Sequence, residues 1–228
     1  MAFRKVIFDF DHTLVRLGPH VDWPAAIREI EEIYTVAGIP ESVLQECRGV
    51  GFKLMRTVYD HMLNALPSEQ TQEIQGRAFG CLEDYELLGA DKALPMEGAE
   101  NILSWLCEHG YQCSIVSSNG SRAVERTLEC LGLKDLVAGV FGRDPLLRLK
   151  PYPDQNRACL KSLGWNTEET LLAGDSPDDI LSAKALSIFT VGVASGLSKE
   201  ERLREAGADR IIQNLTELPP IIQNIDQK

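Results

Sequence analysis

The sequence predicts an α/β protein with a doubly wound, mostly parallel sheet that is interrupted near its start by an all-helical segment. Short apolar runs that end in polar residues recur along the chain, as is typical of buried parallel strands. Stretches with a helical spacing of apolar residues separate these runs, which indicates βαβ units with right-handed crossovers. Residues 15–92 carry helical patterns and no convincing strand pattern.

Each element of the core has its own apolar pattern. The first strand is predicted at residues 6–8, directly before Asp9. Further strands are predicted at residues 113–116, 171–173, 189–193 and 211–212. Helices are predicted at residues 99–108, 122–131, 154–163 and 177–186.

The helical segment divides the chain into two predicted domains. Asp22 is a predicted N-cap, Pro24 lies in the first turn of the helix that follows, and two more helices are expected over residues 52–62 and from Ser68 towards Leu88. The chain of 228 residues is long enough for one large domain with a small insertion. The two domains are an α/β core of residues 1–14 and 93–228, and an inserted helical domain of residues 15–92.

The composition is that of a soluble globular protein, with 44% hydrophobic and 25% charged residues. The formal net charge of −11 argues against nucleic-acid and membrane partners, because such a chain repels both anionic surfaces. A small anionic substrate remains compatible, since a bound cation can invert the field inside a pocket. The six cysteines form no C-x-x-C pair, no stretch is apolar enough to span a membrane, and the N-terminal apolar run is too short for a secretion signal. We expect free cysteines and a cytoplasmic location.

Polar clusters follow several predicted strands, and open parallel sheets bind ligands at the carboxyl ends of their strands. Asp9 and Asp11 leave the first strand one residue apart, with Thr13 after them. A carboxylate can attack phosphorus and form an aspartyl-phosphate, while a second carboxyl protonates the leaving oxygen and later activates water. The pair therefore predicts phosphoryl-transfer chemistry.

Three further clusters favour the same chemistry. Ser117, Ser118 and Asn119 precede a predicted helix, where hydroxyl and backbone N–H groups bind phosphate oxygens. Lys150 lies in a proline-rich loop, and its ammonium group can offset phosphoryl charge. The last cluster follows the strand at residues 171–173, and its carboxylates suit the oxygen ligation of Mg²⁺; its members are Gly174, Asp175, Ser176 and Asp179.

Each cluster alone also has an ordinary structural explanation. The serines can cap a helix, the lysine can be a solvated surface residue, and the acidic cluster can complement a helix dipole. The order of all four clusters in one chain, each after or beside a predicted strand, favours a common active site.

Together the motifs resemble those of the haloacid dehalogenase-like hydrolases. DFDHTLV resembles the D-x-D-x-T motif, VSSNG the strand followed by Ser or Thr, LKPYPD the K-P-x-P form of the lysine motif, and AGDSPDD the G-D-S-x-x-D motif. The helical segment resembles the small helical cap of phosphoglycolate phosphatase-like enzymes and β-phosphoglucomutase. The resemblance implies a Rossmann-like core, Mg²⁺ as cofactor and a small phosphorylated metabolite as substrate.

The resemblance also implies a role for each motif residue. Asp9 attacks phosphorus and ligates Mg²⁺, and Asp11 is the general acid/base, with its backbone carbonyl as a metal ligand. Lys150 balances charge and orients the nucleophile, and Asp175 ligates the metal. Two further residues bind the phosphoryl oxygens: Ser117, for which Ser118 is the alternative, and Asn119. The loops and the metal are supported by Thr13, Gly174, Ser176 and Asp179.

His12 stands where many relatives have Gly or Asn, and we expect its side chain to point at solvent. Arg48, Lys53 and Arg56 lie in or beside one cap helix, where they could meet an anionic substrate or form a solvated face. Both a monomer and a small homo-oligomer are compatible with the sequence. A phosphomutase would keep all four motifs, whereas a non-catalytic protein on this fold would be expected to lose its nucleophile or a metal ligand.

Overall fold

The computed structural model describes residues 3–47, 49 and 51–226, with the side chains described up to residue 223. The strands are β1 (Lys5–Phe8), β2 (Val15–Arg16), β3 (Leu94–Pro95), β4 (Gln112–Val116), β5 (Val140–Phe141), β6 (Thr170–Gly174), β7 (Phe189–Val193) and β8 (Arg210–Ile212). The helices are α1 (Trp23–Val36), α2 (Glu41–Gln45), α3 (Gly51–Ala65), α4 (Ser68–Ala90), α5 (Ala99–Glu108), α6 (Ser121–Leu131), α7 (Asp154–Leu163), α8 (Pro177–Lys184), α9 (Glu200–Glu205) and α10 (Leu218–Asp226).

Six strands form one parallel sheet in the order β5-β4-β1-β6-β7-β8. From β1 the chain builds one half of the sheet outward through β4 and β5, then returns to build the other half through β6, β7 and β8. The predicted doubly wound fold is confirmed. Because the winding reverses beside β1, the carboxyl end of β1 lies in the crevice where ligands of such sheets bind.

The sheet is covered on both faces because successive strand side chains point in opposite directions. Val6 and Phe8 of β1 belong to the larger apolar core, together with residues of α5, α6 and α10. Ile7 points to the other face and packs with residues of α7 and α8. All six cysteines are free, as predicted.

The helical segment, residues 15–92, leaves and rejoins the core through a two-stranded antiparallel ribbon in which Val15 pairs with Pro95. The prediction of no strand in this segment is wrong at Val15–Arg16, because two residues are too few to show an alternating pattern. Asp22 caps α1 as predicted, accepting a hydrogen bond from the Ala25 N–H at 3.1 Å. Within the described residues, no helix has both the length and the apolar character needed to cross a bilayer.

Candidate active site

Three neighbouring strands bring three of the predicted residues together. Asp9 follows β1, Ser117 follows β4 and Asp175 follows β6. Because β1 pairs in parallel with both β4 and β6, these residues leave the sheet at the same edge. Lys150 reaches this edge from the loop between β5 and α7 and donates a hydrogen bond to the Val116 carbonyl at 2.6 Å.

A cluster of buried acids lies at this edge, and we call Asp9, Asp175 and Asp179 the carboxylate cluster. Each offers an oxygen within 4.8 Å of the others. The Lys150 Nζ donates to Asp9 Oδ1 at 2.8 Å and to Asp179 Oδ1 at 2.6 Å. Lys150 is only 3% exposed, so the alternative of a solvated surface lysine is wrong. One ammonium group faces three carboxylates, and this excess of negative charge suits a divalent cation.

The charge excess appears in the pKa values of the cluster. Burial and repulsion from Asp179 raise the pKa of Asp9 to about 6, against the attraction of Lys150. Burial, with repulsion from Asp9 and Asp179, raises the pKa of Asp175 to about 8. Burial lowers the pKa of Lys150, but Asp179 and Asp9 more than offset this and leave it above its ordinary value. Lys150 therefore stays charged, while Asp175 retains its proton near neutral pH unless a cation is bound.

Neighbouring groups fix the orientation of Asp9 and Asp175. The Thr13 hydroxyl lies 3.1 Å from Asp9 Oδ2 and 3.3 Å from Asp175 Oδ1, so it can donate to either carboxylate. The Leu197 N–H donates to Asp175 Oδ2 at 2.7 Å. The structure thus places Thr13 between two members of the carboxylate cluster.

The first turn of α8 holds the third member. Ser176 is the N-cap of α8, and its N–H and hydroxyl donate to Asp179 Oδ2 at 3.0 and 2.6 Å. Gly174 allows the close approach, because a Cβ there would lie 2.6 Å from the Asp179 Cβ. Gly174 and Ser176 therefore position Asp179, which in turn holds Lys150.

Asp11 stands apart from the carboxylate cluster. Its carboxylate accepts hydrogen bonds from the Leu17 N–H at 2.8 Å and the Gly18 N–H at 3.0 Å. It lines a cavity of about 700 Å³ between the core and the helical segment, which we call the substrate cavity. The two acids of the first motif therefore face different surroundings, one buried beside Lys150 and one at the substrate cavity.

His12 adopts the left-handed backbone region, with φ of 65°. His tolerates this region better than most residues do. Its side chain is 20% exposed and lines the substrate cavity, with Nε2 3.8 Å from Asp11 Oδ2. The expectation that His12 points at solvent is therefore wrong, because the left-handed turn directs the ring into the cavity.

The loop after β4, residues 117–120, is held from within. The Ser117 hydroxyl donates to Asn119 Oδ1 at 2.9 Å and accepts from the Asn119 N–H at 3.1 Å. The Asn119 Nδ2 donates to Glu86 Oε1 at 2.9 Å. Since both ends of the Asn119 amide are engaged, this side chain supports Ser117, and its predicted contact with substrate has no geometric support.

Carboxylates from α4 occupy the N-terminus of α6. Glu86 Oε2 accepts from the Gly120 N–H at 2.8 Å, and Glu83 Oε1 accepts from the Arg122 N–H at 2.8 Å. Gly120 is required for this approach, because a Cβ there would lie 2.4 Å from the Glu83 side chain. The helix end that the sequence assigned to phosphate is thus capped by two acids of the helical segment.

Glu86 also forms a buried ion pair that the sequence did not reveal. The Arg143 Nη1 and Nη2 each lie 2.7 Å from one oxygen of Glu86, and the two side chains are 1% and 0% exposed. Arg143 Nη1 also donates to the Ser118 carbonyl at 2.7 Å. The pair ties α4 to the loop of residues 117–120. Its two members lie far apart in sequence and in no motif, so no local pattern indicates it.

We expect the substitution Glu86→Gln to lower the free energy of unfolding by about 3–5 kcal/mol, because it leaves the Arg143 charge buried without a partner. Replacing both residues, by Glu86→Leu and Arg143→Met, should cost less than the sum of the single changes. Urea unfolding at neutral pH measures each value. The matched control is Arg126→Ala, which breaks an exposed pair with Asp91 and should change the free energy of unfolding little. Equal losses in Glu86→Gln and the control would contradict the prediction.

Comparison with known proteins identifies a family and several relatives that this chain matches. The model of the haloacid dehalogenase-like hydrolase family matches residues 6–193. The chain is 29% identical to the phosphoglycolate phosphatase of Rhodospirillum rubrum over 199 residues, which cover 86% of this chain and 82% of that protein. It is 27% identical to the phosphoglycolate phosphatase of Neisseria meningitidis over 223 residues, covering 97% and 93%. A pyrophosphatase of Halalkalibacterium halodurans is 26% identical over 128 residues, covering 56% and 60%.

Solved structures show the same fold. A predicted phosphatase from Clostridium acetobutylicum superposes with a TM-score of 0.68 at 22% identity, covering 98% of this chain and 100% of that one. CbbY from Rhodobacter sphaeroides, in complex with phosphate, gives a TM-score of 0.66 at 17% identity, covering 95% and 96%. At these identities the likeness concerns the fold, and it extends over nearly the whole chain.

Proposed function

We propose that this chain, which belongs to the haloacid dehalogenase-like hydrolases and hydrolyses phosphoric monoesters, depends on Mg²⁺ and transfers the phosphoryl group to Asp9. The observation that carries the proposal is the carboxylate cluster, in which Lys150 holds Asp9 at the carboxyl end of the inner strand β1. The phosphoglycolate phosphatases among its relatives support a small phosphorylated metabolite as the substrate.

The donor set fits magnesium, which prefers oxygen ligands. The side chains of Asp9, Asp175 and Asp179 would hold the ion directly or through water, and the Asp11 backbone carbonyl is assigned as a further ligand by resemblance. When bound, Mg²⁺ would neutralise the carboxylates and the charge on the phosphoryl oxygens.

The chain's own residues supply two half-reactions. In the first, a carboxylate oxygen of Asp9 forms a bond to phosphorus, the ester P–O bond breaks, and Asp11 gives its proton to the leaving oxygen. In the second, water attacks phosphorus, Asp11 takes the water proton, and the bond from phosphorus to Asp9 breaks. Lys150 keeps Asp9 oriented, and we assign the Ser117 hydroxyl to a phosphoryl oxygen, to which it would donate in place of Asn119 Oδ1, with Ser118 as the alternative.

The helical segment acts as the cap in this proposal. Arg56 of α3 pairs with the Asp178 carboxylate and donates to the Lys150 carbonyl at 2.5 Å, which fastens α3 to the core. Its charge is therefore used within the protein, so a contact between Arg56 and an anionic substrate has little support. Lys53 lines the substrate cavity and keeps its proposed role. Arg48 lies outside the described residues.

The proposed function is tested by phosphate release from a panel of phosphorylated metabolites, with Mg²⁺ and after exhaustive chelation. We expect chelation to reduce the rate by about 10²-fold or more, because the carboxylate cluster then lacks its counter-charge. Readdition of Mg²⁺ should restore the rate. Full activity after chelation would refute the metal requirement. An isomerised sugar phosphate without free phosphate would instead identify a phosphomutase.

The raised pKa values predict how the stability of the chelated protein depends on pH. The folded state holds protons on Asp9 and Asp175 more tightly than the unfolded chain, because their pKa values are about 6 and about 8 rather than 3.8. The contribution of these two groups to the free energy of unfolding therefore falls as the pH rises from 3.8 to about 8, and it levels off above about 8. Urea midpoints of chelated protein at three pH values measure this. Asp175→Asn is the control and should weaken the dependence; an identical pH dependence in both proteins would contradict the prediction.

A further inference from the structure

We propose that the preferred substrate is a phosphomonoester of an alcohol that carries a flat aromatic ring, and that Trp23 and Phe52 hold this ring beside Asp11. The proposal rests on the proposed phosphatase function, because it describes the group that leaves when the ester is cleaved.

The substrate cavity is large enough to hold such a ring. Its volume of about 700 Å³ is that of a site for a ring-sized ligand. Asp11 and Ser176 lie on the core side, and the first and third helices of the helical segment form the opposite wall. A two-carbon phosphorylated acid would leave most of this space filled with water.

The walls of the substrate cavity carry aromatic and apolar side chains. The rings of Trp23 and Phe52 meet edge to face, with centroids 5.5 Å apart and an interplanar angle of 74°. Both side chains pack at the margin of the apolar core and stay partly accessible from the cavity. Leu197 lines the core side and is 73% exposed. Such apolar and aromatic surfaces favour contact with a ring.

Two hydrogen bonds connect Trp23 to Asp11 through Gly18. The Gly18 N–H donates to Asp11, and the Gly18 carbonyl accepts from the Trp23 indole N–H at 3.0 Å. One residue thus connects the proposed proton donor to the aromatic wall. Because the leaving oxygen must reach Asp11, the group attached to that oxygen lies in the cavity that Trp23 and Phe52 line.

The test compares two alkyl phosphates whose leaving alcohols have similar basicity, 2-phenylethyl phosphate and n-butyl phosphate, so that the chemical step is matched. We expect kcat/KM with Mg²⁺ to be about tenfold higher for the phenylethyl ester, the scale of a favourable aromatic contact. The readout is the ratio of the two kcat/KM values, because a general loss of activity cancels in it. The same measurement includes 2-phosphoglycolate.

Variants then show where the preference arises. Phe52→Leu and Trp23→Leu should each move the ratio towards one. Trp105→Phe, a remote aromatic change on α5, should leave it unaltered. If one variant does not fold, the other still reports, and wild-type affinity for 2-phenylethylphosphonate over butylphosphonate gives an independent measure.

The outcomes separate this inference from the function on which it rests. Three outcomes would overturn only the proposed aromatic substrate. They are phosphate release from both esters with a ratio near one, a ratio unchanged in the cavity variants, and a clear preference for 2-phosphoglycolate. No release from any ester with Mg²⁺ would overturn the phosphatase function, and the ring with it.

Discussion

The Asp9→Asn protein should lose turnover by on the order of 10⁵-fold or more, the scale seen when a covalent nucleophile is removed. An amide oxygen is too weak a nucleophile to attack phosphorus, so no phosphoenzyme should form. The substitution keeps the shape of the side chain, which is 11% exposed and lies between Lys150 and Thr13. The loss should therefore reflect chemistry and not unfolding.

Phosphate release and rapid-quench mass spectrometry of the intact protein measure this prediction. Asp91→Asn is the control, because Asp91 pairs with Arg126 on the surface and its side chain is 62% exposed. The control should retain near-normal turnover. Near-normal turnover in Asp9→Asn, or an adduct on another residue, would show that the nucleophile is misassigned.

The second large effect is expected for Asp11→Asn, which should slow turnover by about 10²–10⁴-fold, as is typical when a general acid/base is lost. The amide oxygen of asparagine can still accept from the Leu17 and Gly18 N–H groups, so the loop should keep its conformation. A good aryl leaving group needs little protonation, so with an aryl phosphate the first step should persist and the second should stall. A phosphoenzyme should then accumulate on Asp9.

An alkyl phosphate gives the contrasting case, because both half-reactions then need Asp11. Turnover should fall further, and little adduct should appear. Peptide mapping after rapid quench locates the adduct, and a full time course with both esters provides the rates. Equal slowing with aryl and alkyl esters, without any adduct, would remove Asp11 from the role of general acid/base.

The sequence anticipated those parts of the molecule that depend on neighbouring residues. The strand at residues 189–193 was predicted with its observed bounds, because its apolar run is continuous and ends sharply. The convergence of Asp9 and Asp175 followed from strand ends in a parallel sheet, where topology decides proximity. The place of Lys150 beside Asp9 was implied by the family resemblance of its loop motif. The missed strands β2, β3 and β5 have two residues each, too few for a pattern.

The remaining features depend on contacts between distant parts of the chain. The pair Glu86 and Arg143 joins a helix to a loop 57 positions away, and each residue alone resembles an ordinary surface charge. The direction of His12 depends on a positive φ that no pattern announces. Phe52 begins the helical pattern predicted over residues 52–62, and such a pattern does not distinguish a core side chain from one that faces a cavity.

The capped end of α6 has a consequence for product release. The Gly120 and Arg122 N–H groups at that helix end already donate to Glu86 and Glu83, so they are not available to bind free orthophosphate. In the proposed mechanism, retention of the inorganic product then depends on Lys150, the Ser117 hydroxyl and the bound cation. We therefore expect product inhibition by orthophosphate to follow the occupancy of the proposed metal site.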